Sequence, residues 1–464
     1  MHPKRFHLGS ISSGNKGYLK MSRKNMMLVI SGSALGLSSV AIASPDLDRA
    51  YAAELRADAA AHTSLLQAGG SGHDGSFFIG DGAGNNRMEI GGLLQFRYIF
   101  NTRDSDDAGV TSTEDTINGF DAHRVQLDFS GNVVSPNWEY AIGLEFGQAD
   151  TGVNGNTANI AGNLRHAFIT YNFEGDGAGT SVSVGQFKSP VVWEDAASDS
   201  TMLSVERSAV NEFFSGGYTQ GVALDYTADE FMLTVALHDG IGFQPAGGTG
   251  TGPGTALSPI GGSDADFAIA ARFDYKIEGD WAQFADATSW KGSNNAFRLG
   301  GGINWQSGGS TGRTFATGAT PDLDYILWTV DGRYEGNGWN VGAAVVGNSW
   351  DDSDSGIDAN NTGIVVDGGV FLSDDVEVFG RYDYIDIDSS LVTATSEDSA
   401  QFFTIGGNYY LTPESHAAKI TVDFIYSFED AVAFTTGANP FGDMGILGGS
   451  DTEYAFRGQL QLGF

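Results

Sequence analysis

The last twelve residues, Glu453–Phe464, read EYAFRGQLQLGF, with large apolar residues alternating with polar or small ones. Successive side chains of a strand point to opposite faces, so Tyr454, Phe456, Leu460, Leu462 and Phe464 share one face, and Arg457, Gln459 and Gln461 share the other. An apolar strand face that ends in an aromatic residue would promote aggregation in water, but it suits a strand with lipid on one side and a wet lumen on the other. The stretch therefore predicts an all-β fold, a transmembrane antiparallel β-barrel, with the chain ending in its closing strand.

Composition supports this interpretation. The 464 residues are 41% hydrophobic, which is ordinary for a soluble protein, but the apolar residues are dispersed by alternation. Beyond the N-terminal region no stretch approaches the roughly 18 consecutive apolar residues that a membrane helix needs, so a membrane protein of this sequence must be a barrel. The chain has no cysteine, which excludes disulfides, thiolate metal sites and cysteine nucleophiles.

Amphipathic segments follow one another from Met88 to the C-terminus. Sixteen are recognisable, and an even number suits a closed single-chain barrel. In residues 138–146 the outward set is Trp138, Tyr140, Ile142, Leu144 and Phe146. The predicted strands are 94–100, 124–133, 138–146, 164–173, 181–187, 221–226, 231–238, 267–276, 297–305, 325–334, 339–346, 364–372, 376–385, 402–411, 419–428 and the terminal strand.

The connections alternate in length, as they do in outer-membrane barrels. Short connections at 134–137, 228–230, 336–338, 373–375 and 412–416 are expected on the periplasmic side. Longer segments rich in Gly, Asp and Thr are expected to face outward, at 240–262, 307–319, 351–361 and 431–450. Residues 277–295 break this rule, because their place calls for a turn yet they are long and contain Trp281 and Trp290. They form either a long turn or a miscounted strand.

The N-terminus has the features of an export signal. Met21–Ala43 contains basic Arg23 and Lys24, an apolar region and the small-x-small sequence Ala41-Ile42-Ala43, which predicts cleavage after Ala43. A membrane anchor fits less well, since Ser and Gly interrupt the apolar run. Residues 1–20 are interpreted as an upstream extension. All 58 acidic residues and 18 of the 24 basic ones follow residue 43, so the mature charge is 18 minus 58, or −40, which argues against a nucleic-acid partner.

Residues 44–67 show apolar positions at helical spacing, including Leu47, Tyr51, Leu55 and Leu66. They predict a short periplasmic helix, which either associates as a trimeric coiled coil or forms a frayed tether. Residues 68–87, rich in Gly, Ser and Asn, are expected to be a flexible linker. The barrel domain is then 88–464.

One connection differs chemically from the others. Residues 188–214 carry aromatic and aliphatic side chains that would be poorly placed on an outer loop, so the segment is expected to fold into the lumen and narrow the pore. The alternative is a loop that packs on a neighbouring subunit. Its candidate pore residues are Lys188, Trp193, Glu194, Asp195, Asp199, Glu206 and Arg207.

Within this connection lie the motifs GQFKSP at 185–190, MLSVERS at 202–208 and NEFF at 211–214. Together they resemble the porin O/P family of phosphate- and polyphosphate-selective outer-membrane porins. The stretches 164–173, 376–384 and 404–411 resemble further strands of that family. The resemblance covers residues 88–464 and implies a homotrimer of sixteen-stranded barrels in the outer membrane, with small solutes and ions as its cargo.

The resemblance also implies that inward arginines form a ladder and that lysines near the constriction select anions. Only Lys188 matches the lysine cluster, and four carboxylates share its loop, so a general or cation-preferring porin stays open. Seven arginines lie opposite the lipid-facing parity of their strands: Arg97, Arg124, Arg272, Arg298, Arg333, Arg381 and Arg457. They either meet passing anions or pair with lumen carboxylates, such as Asp128, Glu139, Glu145, Asp274, Asp331, Glu377 and Asp383. Phe464 occupies the position of the family's assembly signal.

The mechanism expected is passive diffusion of hydrated solutes, sieved by the inward loop and biased by charge. Catalysis is not expected, because His123, His166 and His238 have no Gly-x-Ser-x-Gly sequence nearby. No cofactor or metal site is predicted, although divalent cations and lipopolysaccharide could screen the acidic outer loops. A structural or adhesive envelope barrel without an open pore is the alternative of another class.

Overall fold

The structure is a computed structural model that describes residues 70–73, 76–104, 115–147, 163–174, 179–241, 265–308, 323–352, 357–392, 397–428, 439–448 and 452–464. The extension, the signal peptide 21–43 and the helix predicted at 44–67 lie outside the described residues.

Sixteen antiparallel strands form a closed barrel, as the alternation predicts. Each strand pairs with the next, and the last pairs with the first through Leu460↔Phe96 and its neighbours. Two short strands precede them, β1 (Ser71–His73) and β2 (Phe77–Gly80). The barrel strands are β3 (Arg87–Thr102), β4 (Thr116–Val133), β5 (Ser135–Glu145), β6 (Asn163–Asn172), β7 (Gly179–Lys188), β8 (Tyr218–Thr227), β9 (Phe231–His238), β10 (Phe267–Glu278), β11 (Ala296–Ser307), β12 (Leu323–Gly336), β13 (Trp339–Asp352), β14 (Ile357–Phe371), β15 (Val376–Asp386), β16 (Ser399–Tyr410), β17 (Ala418–Ser427) and β18 (Glu453–Gly463).

The two faces of the wall differ as the terminal strand predicts. On β18 the outward Phe456 is 50% exposed, whereas the inward Arg457 is 1% exposed. Phe464 also lies on the outer face, and its backbone exchanges two hydrogen bonds with Gly92 across the seam. The apolar face therefore meets lipid and the polar face surrounds the lumen. Among the described residues, no helix is long and apolar enough to cross a membrane.

The prediction of a flexible linker at 68–87 is wrong for the described residues 70–73 and 76–87, most of which lie in paired strands. β1 pairs with β2, and β2 pairs with the start of β3 through Phe77↔Ile90. This part of β3 extends beyond its pairing with β18, which begins at Leu93. β2 therefore covers a sheet edge that would otherwise be unpaired.

Residues 277–295 contain no additional strand, so the count of sixteen stands. β10 ends at Glu278, a 3₁₀ helix follows at Trp281–Ala285, and β11 begins at Ala296. Phe284, Thr288 and Ser289 are buried. The long connection folds inward at the periplasmic end of the barrel.

The connection after β7, residues 189–217, folds into the lumen as predicted, and we call it the constriction segment. It contains the short helices α1 (Trp193–Ala196) and α2 (Ala209–Phe214) and a 3₁₀ turn at Asp199–Thr201. Inward side chains of the wall hold its backbone: Gln95 donates to the Asp199 carbonyl at 3.0 Å, and Arg272 donates to the Val191 carbonyl at 2.8 Å.

A second outer segment also folds inward, contrary to the prediction that 431–450 faces outward. In its described part, 439–448, Phe441, Met444 and Ile446 are fully buried, and Phe441 packs on Phe402 of β16. Arg457 donates to the Met444 carbonyl at 2.9 Å. These apolar side chains would be exposed to water on an outward loop, and their burial explains why the segment folds inward.

Candidate permeation pathway

Glu206 joins the constriction segment to two arginines of the wall. Its carboxylate accepts from Arg97 at 2.5 Å and from Arg124 at 2.7 Å, and His123 lies 3.2 Å away. All three partners come from β3 and β4. The side chain of Glu206 is only 1% exposed, so removing it would leave two buried guanidinium groups without this partner.

Asp199 makes a second connection of the same kind. It pairs with Arg165 of β6 at 2.8 Å and with Arg207 of its own segment at 2.7 Å, and Gln126 of β4 donates to it at 2.7 Å. We call Asp199 and Glu206, with Arg97, Arg124 and Arg165 of the wall, the latch. The latch holds the constriction segment against the β3–β6 side of the lumen.

The arginines also determine the protonation of the latch. Burial alone would raise the pKa of Asp199, but Arg207, Arg124 and Arg165 outweigh it and hold that pKa well below its usual range. Burial opposes the ionised form of Glu206 in the same way, and Arg124 and Arg97 hold its pKa well below the usual range. Both carboxylates are therefore charged at neutral pH.

The β10–β15 side of the lumen is arranged differently. Arg272 and Arg298 share Asp274 and Asp331, with their closest contacts between 2.5 and 2.8 Å. Gly300 leaves room for this group, because a Cβ atom there would lie 2.7 Å from Arg298 Nη1. Further along the wall, three pairs repeat the pattern: Arg333–Asp367 at 2.8 Å, Arg381–Asp383 at 3.1 Å and Arg457–Asp423 at 2.8 Å. Here both partners of each pair belong to the wall.

All seven arginines singled out from the sequence therefore lie on the buried inner face, and each has a carboxylate partner. The pairing alternative describes them better than a ladder of free cations. Of the expected partners, Asp274, Asp331 and Asp383 take that role, and Asp128 lies 3.7 Å from Arg165. Glu377 instead accepts from Tyr410, and Glu145 from Gln126.

A cavity of about 880 Å³ lies between the constriction segment and the β11–β15 wall. Its charged lining is balanced, with Arg207, Arg298, Arg333, Arg381, Glu194, Glu206, Asp331 and Asp367. Three guanidinium N–H groups on this lining have no hydrogen-bond partner among the described residues: Arg298 Nε, Arg333 Nε and Arg381 Nη2. The Trp193 ring lies 4.8 Å from the Arg333 guanidinium carbon and 5.2 Å from that of Arg298. These three nitrogen atoms are themselves buried, so part of each guanidinium group stays unpaired behind the cavity surface.

A smaller cavity of about 710 Å³ lies on the other side of the segment, and Lys188 lines it together with Arg165, His166 and Tyr218. Lys188 donates to the Asp195 carbonyl at 2.5 Å, and its ammonium lies 5.7 Å from the centre of the Tyr218 ring. The predicted pore residues are thus divided: Trp193, Glu194, Glu206 and Arg207 face the larger cavity, and Asp199 faces the smaller one.

Glu194 and Asp195 stabilise the segment itself. Glu194 accepts from the Ser208 backbone at 2.7 Å and from the Ser208 hydroxyl at 2.5 Å. Asp195 accepts from the Gly217 backbone at 3.1 Å. Both oxygens of Glu194 and one oxygen of Asp195 are consequently occupied by donors of the protein.

Two inward residues, His123 and Arg165, are not predicted by the alternation of the strands. The pairing of β3 with β4 skips His123, and that of β5 with β6 skips Arg165. At such a bulge the alternation shifts by one residue, so both neighbours can point to the same side. Adjacent basic pairs, His123-Arg124 and Arg165-His166, are the only signal of these bulges in the sequence.

Within the described ranges, no group of three or more His, Asp or Glu side chains is arranged to hold a metal ion. Most of the acidic outer loops proposed as cation sites lie outside those ranges, so that prediction stays a prediction.

Solved structures with a similar fold include an anion-selective porin from Comamonas acidovorans, at 12% identity and a TM-score of 0.52, covering 81% of this chain and 99% of that one. The outer-membrane channel DcaP of Acinetobacter baumannii has 12% identity and a TM-score of 0.49, covering 81% and 97%. OmpT of Vibrio cholerae has 14% identity and a TM-score of 0.47, covering 82% and 98%. No curated protein matches the sequence.

The family is shown by sequence. The model of the family described as phosphate-selective porin O and P matches residues 95–437, which comprise most of the barrel and the whole constriction segment. Its fold and its family are those of a channel. The chain is an outer-membrane porin and belongs to the phosphate-selective porin O and P family.

Proposed function

We propose that small hydrated anions diffuse passively through the larger cavity, with a modest preference over cations. The observation that carries this proposal is the cluster of Arg298, Arg333 and Arg381 on the cavity lining, where one buried N–H group of each arginine has no hydrogen-bond partner among the described residues. A guanidinium is always charged and its planar donors suit oxyanions, phosphate included.

The carboxylates of the same lining are less available. Asp367 accepts twice from Arg333, at 2.8 and 3.0 Å, and Asp331 is bound by Arg272 and Arg298. Glu194 and Glu206 are occupied in the same way. On this lining three guanidinium N–H groups but only one carboxylate oxygen, Asp331 Oδ2, have no hydrogen-bond partner among the described residues, and this balance favours an anion over a cation. Since every arginine also has a carboxylate partner, binding is weak enough for the ion to leave.

The assembled form belongs to the same proposal. We infer a homotrimer in the outer membrane, surrounded by lipid and lipopolysaccharide, with export by the signal peptide and Phe464 as the assembly signal. Divalent cations would bind at the acidic outer loops. The family and the lipid-facing aromatic surface support this assembly, and crosslinking of the purified protein followed by mass measurement tests the trimer.

Ion selectivity tests the function. The protein is reconstituted in planar lipid bilayers, and the reversal potential is measured in a potassium chloride gradient, followed by titration with phosphate. We expect chloride to be preferred by about threefold, as weakly paired guanidinium groups allow, and phosphate to reduce the chloride current.

Arg333→Gln should reduce both effects, whereas Arg87→Gln, outside the cavity and paired with Glu89, should change neither. A cation preference, or an anion preference that Arg333→Gln leaves intact, would contradict the proposal. A protein that inserts without conducting would favour the structural envelope barrel.

A further inference from the structure

The long periplasmic connection 279–295 has a defined shape. Its 3₁₀ helix begins with a reciprocal pair of hydrogen bonds, in which the Gln283 backbone donates to the Asp280 carbonyl at 3.0 Å and the Gln283 side chain accepts from the Asp280 backbone at 2.9 Å. Gln283 also donates to the Asn294 carbonyl at 2.9 Å, which joins the two ends of the connection. These contacts fix Phe284 in the middle of the connection, where its side chain is 5% exposed.

Neighbouring elements fasten the connection on both sides. Trp281 donates through its indole to the Ala228 carbonyl at 3.0 Å. Trp290 packs edge-on against Tyr410 at 4.7 Å, and the Gly338 backbone donates to its carbonyl at 3.2 Å. The connection is therefore held in place at the periplasmic end of the lumen by contacts with its neighbours.

Phe284 reaches the constriction segment from below. The Trp193 indole donates to the Phe284 carbonyl at 3.3 Å. The Arg298 guanidinium carbon lies 5.2 Å from the centre of the Trp193 ring and 6.0 Å from that of Phe284. Two aromatic rings, one from each side of the membrane, thus contact one arginine. We call Trp193 and Phe284 the aromatic clamp.

The clamp contacts Arg298, whose closest ion-pair contacts are both made by one nitrogen atom of the guanidinium group. Arg298 reaches both Asp274 and Asp331 through the same Nη1 atom, at 2.5 and 2.7 Å. Its Nε has no hydrogen-bond partner among the described residues. A cation over aromatic faces is attracted to them without consuming its N–H donors. The clamp can therefore orient Arg298 on the cavity lining without competing with its ion pairs.

We propose that Phe284 is a positioning residue for anion selectivity and that the connection 279–295 is a second selectivity element below the constriction segment. Phe284 does not line the larger cavity, although Ala287 of the same connection does. Phe284 therefore acts through Arg298 and Trp193, which both line the cavity. This inference rests on the proposed function of the cavity. A simple packing role for Phe284 would predict that any apolar residue of similar volume replaces it.

The test compares Phe284→Leu and Phe284→Tyr in planar bilayers. Leucine keeps apolar volume but removes the ring, whereas tyrosine retains the ring. Phe297→Leu is the matched control, because Phe297 precedes Arg298 on β11 and packs outward on Tyr334. Trimer formation and far-ultraviolet circular dichroism confirm that each variant has folded.

We expect Phe284→Leu to raise about threefold the phosphate concentration that halves the chloride current, the scale of a lost cation–π contact, and to reduce the anion preference. Phe284→Tyr and Phe297→Leu should retain wild-type values. If Phe284→Leu also retains them, the inference is wrong. If the wild type itself shows no anion preference, the proposed function fails; if the wild type prefers anions and Phe284→Leu does too, only the inference about Phe284 fails.

Discussion

The two sides of the lumen use the same residue types for different purposes. On the β3–β6 side, the wall supplies the arginines and the constriction segment supplies the carboxylates Asp199 and Glu206. On the β10–β15 side, both partners belong to the wall, as in Arg333–Asp367. An ion pair between segment and wall fixes the segment, whereas the pairs within the wall place Arg298, Arg333 and Arg381 on the cavity lining. Arg272 and Arg381 also donate to backbone carbonyls of the segment, so the two sides differ in the source of the carboxylates.

Glu206→Gln should have the largest effect, because it breaks the latch. Arg97 and Arg124 would lose a charged partner inside the protein, at a cost of about 3 kcal/mol in the free energy of unfolding. We expect a lower denaturation midpoint in detergent and a larger, noisier single-channel conductance as the segment is released.

Glu414→Gln makes the same change on an exposed periplasmic turn and serves as the control. Equal conductance noise and equal stability in the two variants would show that the latch does not hold the segment.

Gly302→Ala should displace the constriction segment from the opposite side. A Cβ atom at position 302 would lie 2.5 Å from the Val191 carbonyl oxygen, so the segment must move. We expect a change in conductance of about twofold, since overpacking of this kind typically costs 1–3 kcal/mol and is relieved by backbone shifts. Gly458→Ala is the control, because no atom lies within 4 Å of its added Cβ. An unchanged conductance in Gly302→Ala would place the segment elsewhere.

Asp367→Asn should change the selectivity of the pore through the β10–β15 side of the lumen. It removes the charge paired with Arg333 but leaves the latch intact, so we expect the anion preference to rise by about twofold, the scale of a weak ion pair. The reversal potential measures this change. If Asp367→Asn instead enlarges the pore and leaves the selectivity unchanged, which is the result expected for Glu206→Gln, the two sides of the lumen are not functionally distinct.

Acidification should have the smallest effect. The pKa values of Asp199 and Glu206 are held well below their usual range, so their stabilising contribution is present above the unfolded-state pKa and is lost only as the pH falls through the folded-state pKa. We therefore expect the conductance noise to stay constant from neutral pH to about pH 4, near the ordinary pKa of a carboxylate. An increase in noise before that point would contradict a latch held by these arginines.

Much of this architecture is predictable from alternation. Because a strand side chain points in or out according to parity, the terminal strand, the sixteen-strand count and the inner position of Arg298 or Arg381 follow from the sequence. The inward fold of residues 189–217 follows from its apolar composition.

Other features depend on contacts between distant parts of the chain. The bulges at His123 and Arg165 change the parity by one residue, which no local pattern specifies. The pairing of Arg333 with Asp367 links positions 34 residues apart, and that of Arg97 with Glu206 links positions 109 apart. The inward folds of 279–295 and 439–448 likewise depend on partners such as Trp193 and Phe402, which only the closed barrel places nearby.

The most direct test of the difference between the two sides is anomalous diffraction from crystals of the protein soaked in bromide. We expect bromide in the larger cavity beside Arg298, Arg333 and Arg381, and none within contact distance of Arg97 and Arg124. Bromide bound at the latch, or a larger cavity without bromide, would contradict this expectation.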